Sequence, residues 1–272
     1  METLKLNDGG RLPVIGLGTW DIGGGRTSDH SRDDEMTALI RDAIEMGYTH
    51  IDTAEMYGAG HCEDLVGRAL QNFNREEIFV TTKVLPDNLR YDDLLRALDG
   101  SLERLQTDYA DLYLIHWPHP DVPLEESFRA LNRAAADGRI RRVGVSNFDV
   151  PLLRQAQELC ATPVVNDQVR YNLHTRAPEQ NGLLRYCQEN DVVLTAYSPL
   201  KDGVLQNGTI QAVASKHGAT AAQVAIRWLT LKPNVVTIPK SSKRTRLREN
   251  LEALQLELDE DDVRRLNEAT GN

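Results

Sequence analysis

Short apolar runs rich in β-branched residues alternate with amphipathic helical stretches almost from one end of the chain to the other. The apolar runs predict strands over 14–17, 49–51, 78–82, 112–115, 142–145, 164–166, 192–196 and 235–238. Helical spacing predicts helices near 33–46, 61–71, 91–105, 124–136, 150–160, 179–189, 209–216 with 219–231, and 243–253. The stretch Asp111-Leu-Tyr-Leu-Ile-His116 is apolar without alternation, as a parallel strand covered on both faces should be. Eight strand–helix units with no low-complexity linker predict an α/β fold, a single (β/α)8 TIM barrel in which residues 1–272 form one domain. A doubly wound sheet is the alternative. Its usual G-x-G-x-x-G signal after the first strand is incomplete in Gly16-Leu17-Gly18-Thr19-Trp20.

Two pieces fall outside the eight units. Residues 4–6 and 12–13, joined by Asn7-Asp8-Gly9-Gly10, read as an N-terminal β-hairpin that closes the bottom of the barrel. Leu258-Asp259-Glu260 opens a last helix with acidic residues in its first turn.

Charge narrows the classes of partner. The net charge of −10 disfavours a nucleic-acid binder. The polar start, Met1-Glu2-Thr3-Leu4-Lys5, has no apolar leader core, and no stretch is long enough to span a membrane. Cys62, Cys160 and Cys187 have neither disulfide-framework nor zinc spacing. The expectation is a cytoplasmic monomer with no metal, no membrane partner and a small-molecule substrate.

Chemistry is expected where strands run into loops at the C-terminal mouth. There the sequence supplies Asp52 and Tyr57, Lys83, His116-Trp117, Ser146-Asn147, Gln168, Tyr197-Ser198 and Lys240-Ser241. A free tyrosine, with a pKa of about 10, is a weak acid at neutrality, and a neighbouring ammonium lowers that value. Asp52 would hold Lys83, Lys83 would activate Tyr57 as general acid, and His116 would orient a substrate oxygen. Singly, an Asp–Lys pair or a lone histidine is often structural; together at one mouth they form a proton-donating constellation. The segment 240–248 carries five cations in nine residues of an acidic chain, directly after the last strand. It reads as an anion site for a phosphorylated cofactor, with a solvated basic helix face as the alternative.

These residues resemble the signatures of the aldo-keto reductase family. The resemblance rests on Asp52-Thr-Ala-x-x-Tyr57-Gly58, Lys83, Leu114-Ile-His116-Trp-Pro118, Gly144-Val-Ser-Asn147-Phe148, Tyr197-Ser-Pro-Leu200 and Ile238-Pro-Lys240-Ser241. It implies NADPH-dependent reduction of aldehydes or ketones by direct hydride transfer. The tetrad it implies is Asp52, Tyr57, Lys83 and His116. Its implied cofactor residues are Gly18, Thr19, Trp20, Ser146, Asn147, Gln168, Tyr197, Ser198, Leu200, Pro239, Lys240, Ser241, Arg246, Glu249 and Asn250. Tyr197 would stack on the nicotinamide, and Lys240, Ser241 and Arg246 would hold the 2′-phosphate, favouring NADPH over NADH. Trp20 and Trp117 are expected to line an open, aldehyde-leaning substrate pocket.

Two features qualify the likeness. The family commonly reads Asn-Gln-Val-Glu where this chain has Asp167-Gln168-Val169-Arg170. His116 is retained where steroid double-bond reductases carry glutamate, which favours carbonyl reduction. Two other readings stand beside it: a Schiff-base aldolase using Lys83 as nucleophile, and a cofactor-binding subunit without useful turnover.

Overall fold

In the computed structural model, residues 1–269 of the chain are described. An antiparallel hairpin, β1 (Thr3–Lys5) and β2 (Arg11–Pro13), precedes eight strands: β3 (Leu17–Gly18), β4 (His50–Asp52), β5 (Phe79–Val84), β6 (Leu112–Ile115), β7 (Val143–Ser146), β8 (Val164–Arg170), β9 (Val193–Tyr197) and β10 (Val235–Thr237). The eight pair in parallel in simple sequence order. Ile15 bridges Thr237, and Gly18 N–H donates to Pro239 O at 3.3 Å, so the first strand meets the last and the sheet closes as a (β/α)8 barrel. A side chain at Gly18 would meet Ile238 O at 2.5 Å, so this seam needs glycine.

Helices clothe the barrel: α1 (Asp33–Glu45), α2 (His61–Leu70), α3 (Tyr91–Leu105), α4 (Leu124–Ala136), α5 (Val150–Leu159), α6 (Ala177–Gln180), α7 (Leu183–Glu189), α8 (Gly208–Lys216), α9 (Ala221–Thr230), α10 (Arg244–Glu252) and α11 (Glu260–Glu268). The expected helix over 179–189 is two pieces, because Gly182 adopts a left-handed φ of 82°. Asp259 and Asp262 form a reciprocal capping box at the start of α11.

The hairpin closes the N-terminal mouth. Leu6, Leu12 and Val14 pack with Phe79, Leu112, Val165 and Val193 in one buried cluster. Asn7 Nδ2 donates to Val164 O at 3.1 Å and Asp8 pairs with Arg142 at 2.6 Å, pinning the turn to the bottoms of β8 and β7. Polar barrel residues concentrate at the other mouth. No helix among the described residues is long and apolar enough to cross a membrane.

Most strands run further toward the C-terminal mouth than their apolar runs, whereas β6 keeps its limits and β10 stops one residue short. Asp52, Lys83, Ser146, Gln168 and Tyr197 belong to the last rungs of their strands, not to the loops beyond. Their polar side chains end the apolar run while the backbone ladder continues. Lys83 thus pairs with Leu114 and Ser146 with Gln168 in register.

Candidate active site

At the C-terminal mouth lies a cavity of about 790 Å³. Its wall includes Asp52, Tyr57, His116 and Gln168 together with Lys240, Ser241, Arg246, Glu249 and Asn250. Gly18, Thr19, Trp20, Trp117, Tyr197, Ser198, Leu200 and Pro239 complete the lining expected from the sequence. Lys83, Ser146 and Asn147 sit behind that wall and hold it from within. Asp21, Arg26, Met56, Lys201, Leu205 and Thr220 also face the cavity without having been expected there. The glycine run Gly23-Gly24-Gly25 was the one sequence signal for the loop that carries Asp21 and Arg26.

Beneath Tyr57, Lys83 is completely buried. Its Nζ donates to Asp52 Oδ1 at 2.6 Å, to Thr53 O at 2.7 Å and to Tyr57 Oη at 3.2 Å. Three acceptors for three N–H bonds describe an ammonium ion. An amine so engaged has no free lone pair for attack on a carbonyl, which argues against a Schiff-base lysine. Burial pushes Asp52 up and Lys83 down from their ordinary values, and their pairing opposes both shifts.

The phenol of Tyr57 behaves differently from the sequence expectation. Burial, reinforced by the charge of Asp52, holds its pKa well above the ordinary tyrosine value. The Lys83 ammonium at 3.2 Å favours the phenolate, but burial outweighs it. Tyr57 therefore keeps its proton at neutral pH. Trp20 meets its ring edge-on at 5.0 Å, and His116 lies 5.8 Å away on another side. Burial first, and then the charge of Lys83, depresses the His116 imidazole to about 2, so it is neutral, and its Nδ1 has no partner. Trp117 stacks on that imidazole at 4.0 Å.

One hydrogen-bonded chain links the wall. Tyr197 Oη donates to Asn147 Oδ1 at 2.9 Å, and Asn147 Nδ2 donates to Ser146 Oγ and to His116 O, both at 3.0 Å. Ser146 Oγ donates to Gln168 O at 2.6 Å, and Gln168 Nε2 donates to Asp52 Oδ2 at 2.7 Å. Asn147 sits in the left-handed region (φ 62°), which an asparagine tolerates and which directs its amide inward.

Of the cations in 240–248, Lys240 and Arg246 face the cavity. Arg244 pairs instead with Asp42 at 3.0 Å, and Arg248 lines a separate small pocket with Met46 and Leu251. Lys240 Nζ lies 3.6 Å from Asp21 across the mouth.

The two departures at the end of β8 have separate surroundings. Asp167 is fully buried and neither carboxylate oxygen finds a hydrogen-bond partner. Burial holds its carboxyl well above the usual carboxylate range. Arg170 pairs with Asp202, and Asn172 Nδ2 and Thr175 Oγ1 each donate to the same Asp202 carboxylate at 3.0 Å. This knot ties the loop after β9, which carries Leu200, Lys201 and Leu205 over the cavity.

The family model for the aldo/keto reductase family matches residues 14–270. The chain belongs to the aldo/keto reductase family. A glyoxal reductase of Bacillus subtilis is 40% identical over 269 residues, covering 96% of this chain and 90% of that one. Among solved structures, a thermostable aldo-keto reductase in complex with the inhibitor epalrestat superimposes with a TM-score of 0.94 at 50% identity, covering 98% of this chain and 99% of that one. An aldo/keto reductase from Klebsiella pneumoniae, solved with NADP and acetate, gives a TM-score of 0.88 at 36% identity, with 97% of this chain and 94% of that one covered. This aldo-keto reductase is therefore an oxidoreductase, and the barrel mouth is where its family chemistry has to be sought.

Proposed function

We propose that this aldo-keto reductase uses NADPH to reduce small aldehydes and ketones to alcohols. One observation carries the reading: a buried Tyr57–Lys83–Asp52 relay opens into a cavity that Lys240 and Arg246 also line. The cofactor of the Klebsiella relative fits that cavity chemically. Gln168 offers an amide oxygen not engaged by Asp52, Tyr197 an aromatic face, and Ser241, Lys240 and Arg246 a donor set for a phosphate. Bound there, NADPH supplies the hydride.

The residues of the chain supply everything else. His116, neutral across the working pH range, orients the carbonyl oxygen toward Tyr57. As the carbonyl carbon is reduced, negative charge develops on that oxygen and Tyr57 Oη delivers its proton to it. The phenolate left behind is held by the Lys83 ammonium 3.2 Å away, and Asp52 keeps that ammonium in place. Trp20 and Trp117 flank the reacting end and screen it from water. The relative named glyoxal reductase favours small aldehydes as substrates. β3 and β10 from opposite ends of the chain close the same barrel, so the reading takes the chain as one domain, acting as a monomer.

The test follows NADPH absorbance with purified protein and a panel of aldehydes, ketones and sugars. Substrate-dependent oxidation supports the reading. Tight NADPH binding without turnover on any of them would instead favour a cofactor-binding subunit.

A further inference from the structure

Outside the active site, His30, Asp33 and His61 come together at the rim of the barrel mouth. His30 lies near the end of the loop over 19–32, Asp33 begins α1, and His61 begins α2 just beyond Tyr57. His61 Nε2 lies 2.6 Å from Asp33 Oδ1, and His30 Nδ1 lies 3.4 Å from Asp33 Oδ2. One ligand-capable atom from each residue falls within 4.8 Å of the others. The two imidazole rings face each other at 3.9 Å, tilted by 47°. His61 is buried, Asp33 is partly covered and His30 is exposed, so the cluster has a fixed floor and an open side.

A hydrogen-bonded His–Asp pair that merely caps α1 would account for His61 and Asp33. It would not account for a second imidazole packed on the first beside the same carboxylate. Two imidazole nitrogens and one carboxylate oxygen are the donor set of zinc-class divalent ions, whereas magnesium and calcium take oxygen ligands. With ligands at about 2.0–2.2 Å from zinc, neighbouring ligand atoms sit roughly 3–3.5 Å apart. The observed spacings bracket that value, and the exposed His30 side chain can close the remainder. The other nitrogen of His61 lies 3.7 Å from Asp64 Oδ2. Arg68 Nη1, 3.5 Å from Asp33 Oδ2, is the one cation competing for the carboxylate among the described residues.

The geometry points to a zinc-class cation site formed by His30, Asp33 and His61, separate from the reductive chemistry. An ion there would tie the loop that carries Trp20, Asp21 and Arg26 to the start of α2, clamping the cavity rim. Cysteine spacing predicted no metal. Histidines 31 residues apart in sequence, with Asp33 between them, form no recognisable motif.

The experiment titrates the untagged full-length protein with cobalt chloride, read by visible absorption, and with zinc chloride, read by calorimetry. The expected result is one tight equivalent, with cobalt bands that zinc displaces and a zinc-dependent rise in Tm. His30→Gln, an exposed substitution that leaves the fold intact, should weaken zinc at least tenfold and abolish the rise. Arg68→Gln, which removes the competing cation, should tighten it. Absence of a tight equivalent would overturn the proposal. Unchanged affinity in His30→Gln would do so equally, because the ion would then be held by other residues.

Discussion

Gln168 Nε2 donates a 2.7 Å hydrogen bond to Asp52 Oδ2, joining the wall of the cofactor cavity to the carboxylate that holds Lys83. The two residues are 116 positions apart, on β8 and β4, and their contact crosses the barrel interior. Since Lys83 occupies the other oxygen of Asp52, the carboxylate is satisfied on both sides. The amide oxygen of Gln168 remains for a ligand in the cavity. In this account cofactor seating and proton delivery share one side chain.

Gln168→Leu should therefore disturb both functions at once. A hydrogen bond to a charged group contributes about 1.5–3 kcal/mol, or roughly ten- to a hundredfold in a rate or binding constant. Fluorescence titration with NADPH and steady-state kinetics should show weaker binding together with lower kcat. A change confined to binding would mean that the contact with Asp52 is incidental.

The Asp52–Lys83 pair should be worth more to stability when broken than when removed. Lys83→Met leaves a buried carboxylate without its counter-ion, which costs about 3–5 kcal/mol. Adding Asp52→Asn removes the stranded charge and should recover part of that loss, although activity stays absent. Urea unfolding of both single variants and the double variant measures the coupling. Additive losses would show that the pair is not interacting.

Acid should destabilise the protein through histidines that are buried and neutral. Burial, and secondarily the charge of Lys83, holds His50 at about 3, against an ordinary value near 6.5. The unfolded chain then binds more protons than the folded one between those values. Stability is unaffected by His50 above pH 6.5 and falls as pH drops from there toward about 3. Its share is about 1.4 kcal/mol per pH unit. His50→Gln, which replaces a ring hydrogen-bonded to Thr81 Oγ1, should flatten the pH dependence of unfolding between pH 6 and 4 by about that slope. An identical slope in the variant would show that His50 titrates normally in the fold.

Arg246 should separate the two nicotinamide cofactors. It is exposed and lines the cavity, where it could meet a 2′-phosphate. Arg246→Ala should raise the Kd for NADPH at least tenfold and leave that for NADH nearly unchanged. Equal losses for the two would place the guanidinium against some other part of the cofactor.

Much of this architecture could be read from the chain because a parallel barrel writes itself as buried apolar runs. Residues 112–115 form β6 with the limits that the run predicted. The same rule failed at the strand tops. Asp52, Lys83 and Gln168 break hydrophobicity while remaining in the ladder, since their side chains bond to one another inside the barrel. Gly182 broke a predicted helix because a left-handed residue is invisible to apolar periodicity. The four residues proposed as the tetrad stand out as polar groups at the strand ends before the family resemblance is drawn, but the state of Tyr57 is not visible. It depends on the burial of the phenol and its closeness to Asp52, which no spacing encodes. The knot of Arg170, Asn172 and Thr175 on Asp202 likewise joins residues about 30 positions apart through a loop.

The central claim is that Tyr57 delivers the proton, and Tyr57→Phe tests it most directly. The phenylalanine preserves the ring packed against Trp20 and removes only the hydroxyl 3.2 Å from Lys83. Single-turnover NADPH oxidation with a small aldehyde should slow by about 10²–10⁴-fold, while NADPH affinity stays within a few-fold of wild type. Turnover at the wild-type rate would contradict the account and return the relay beneath the cavity to a structural role.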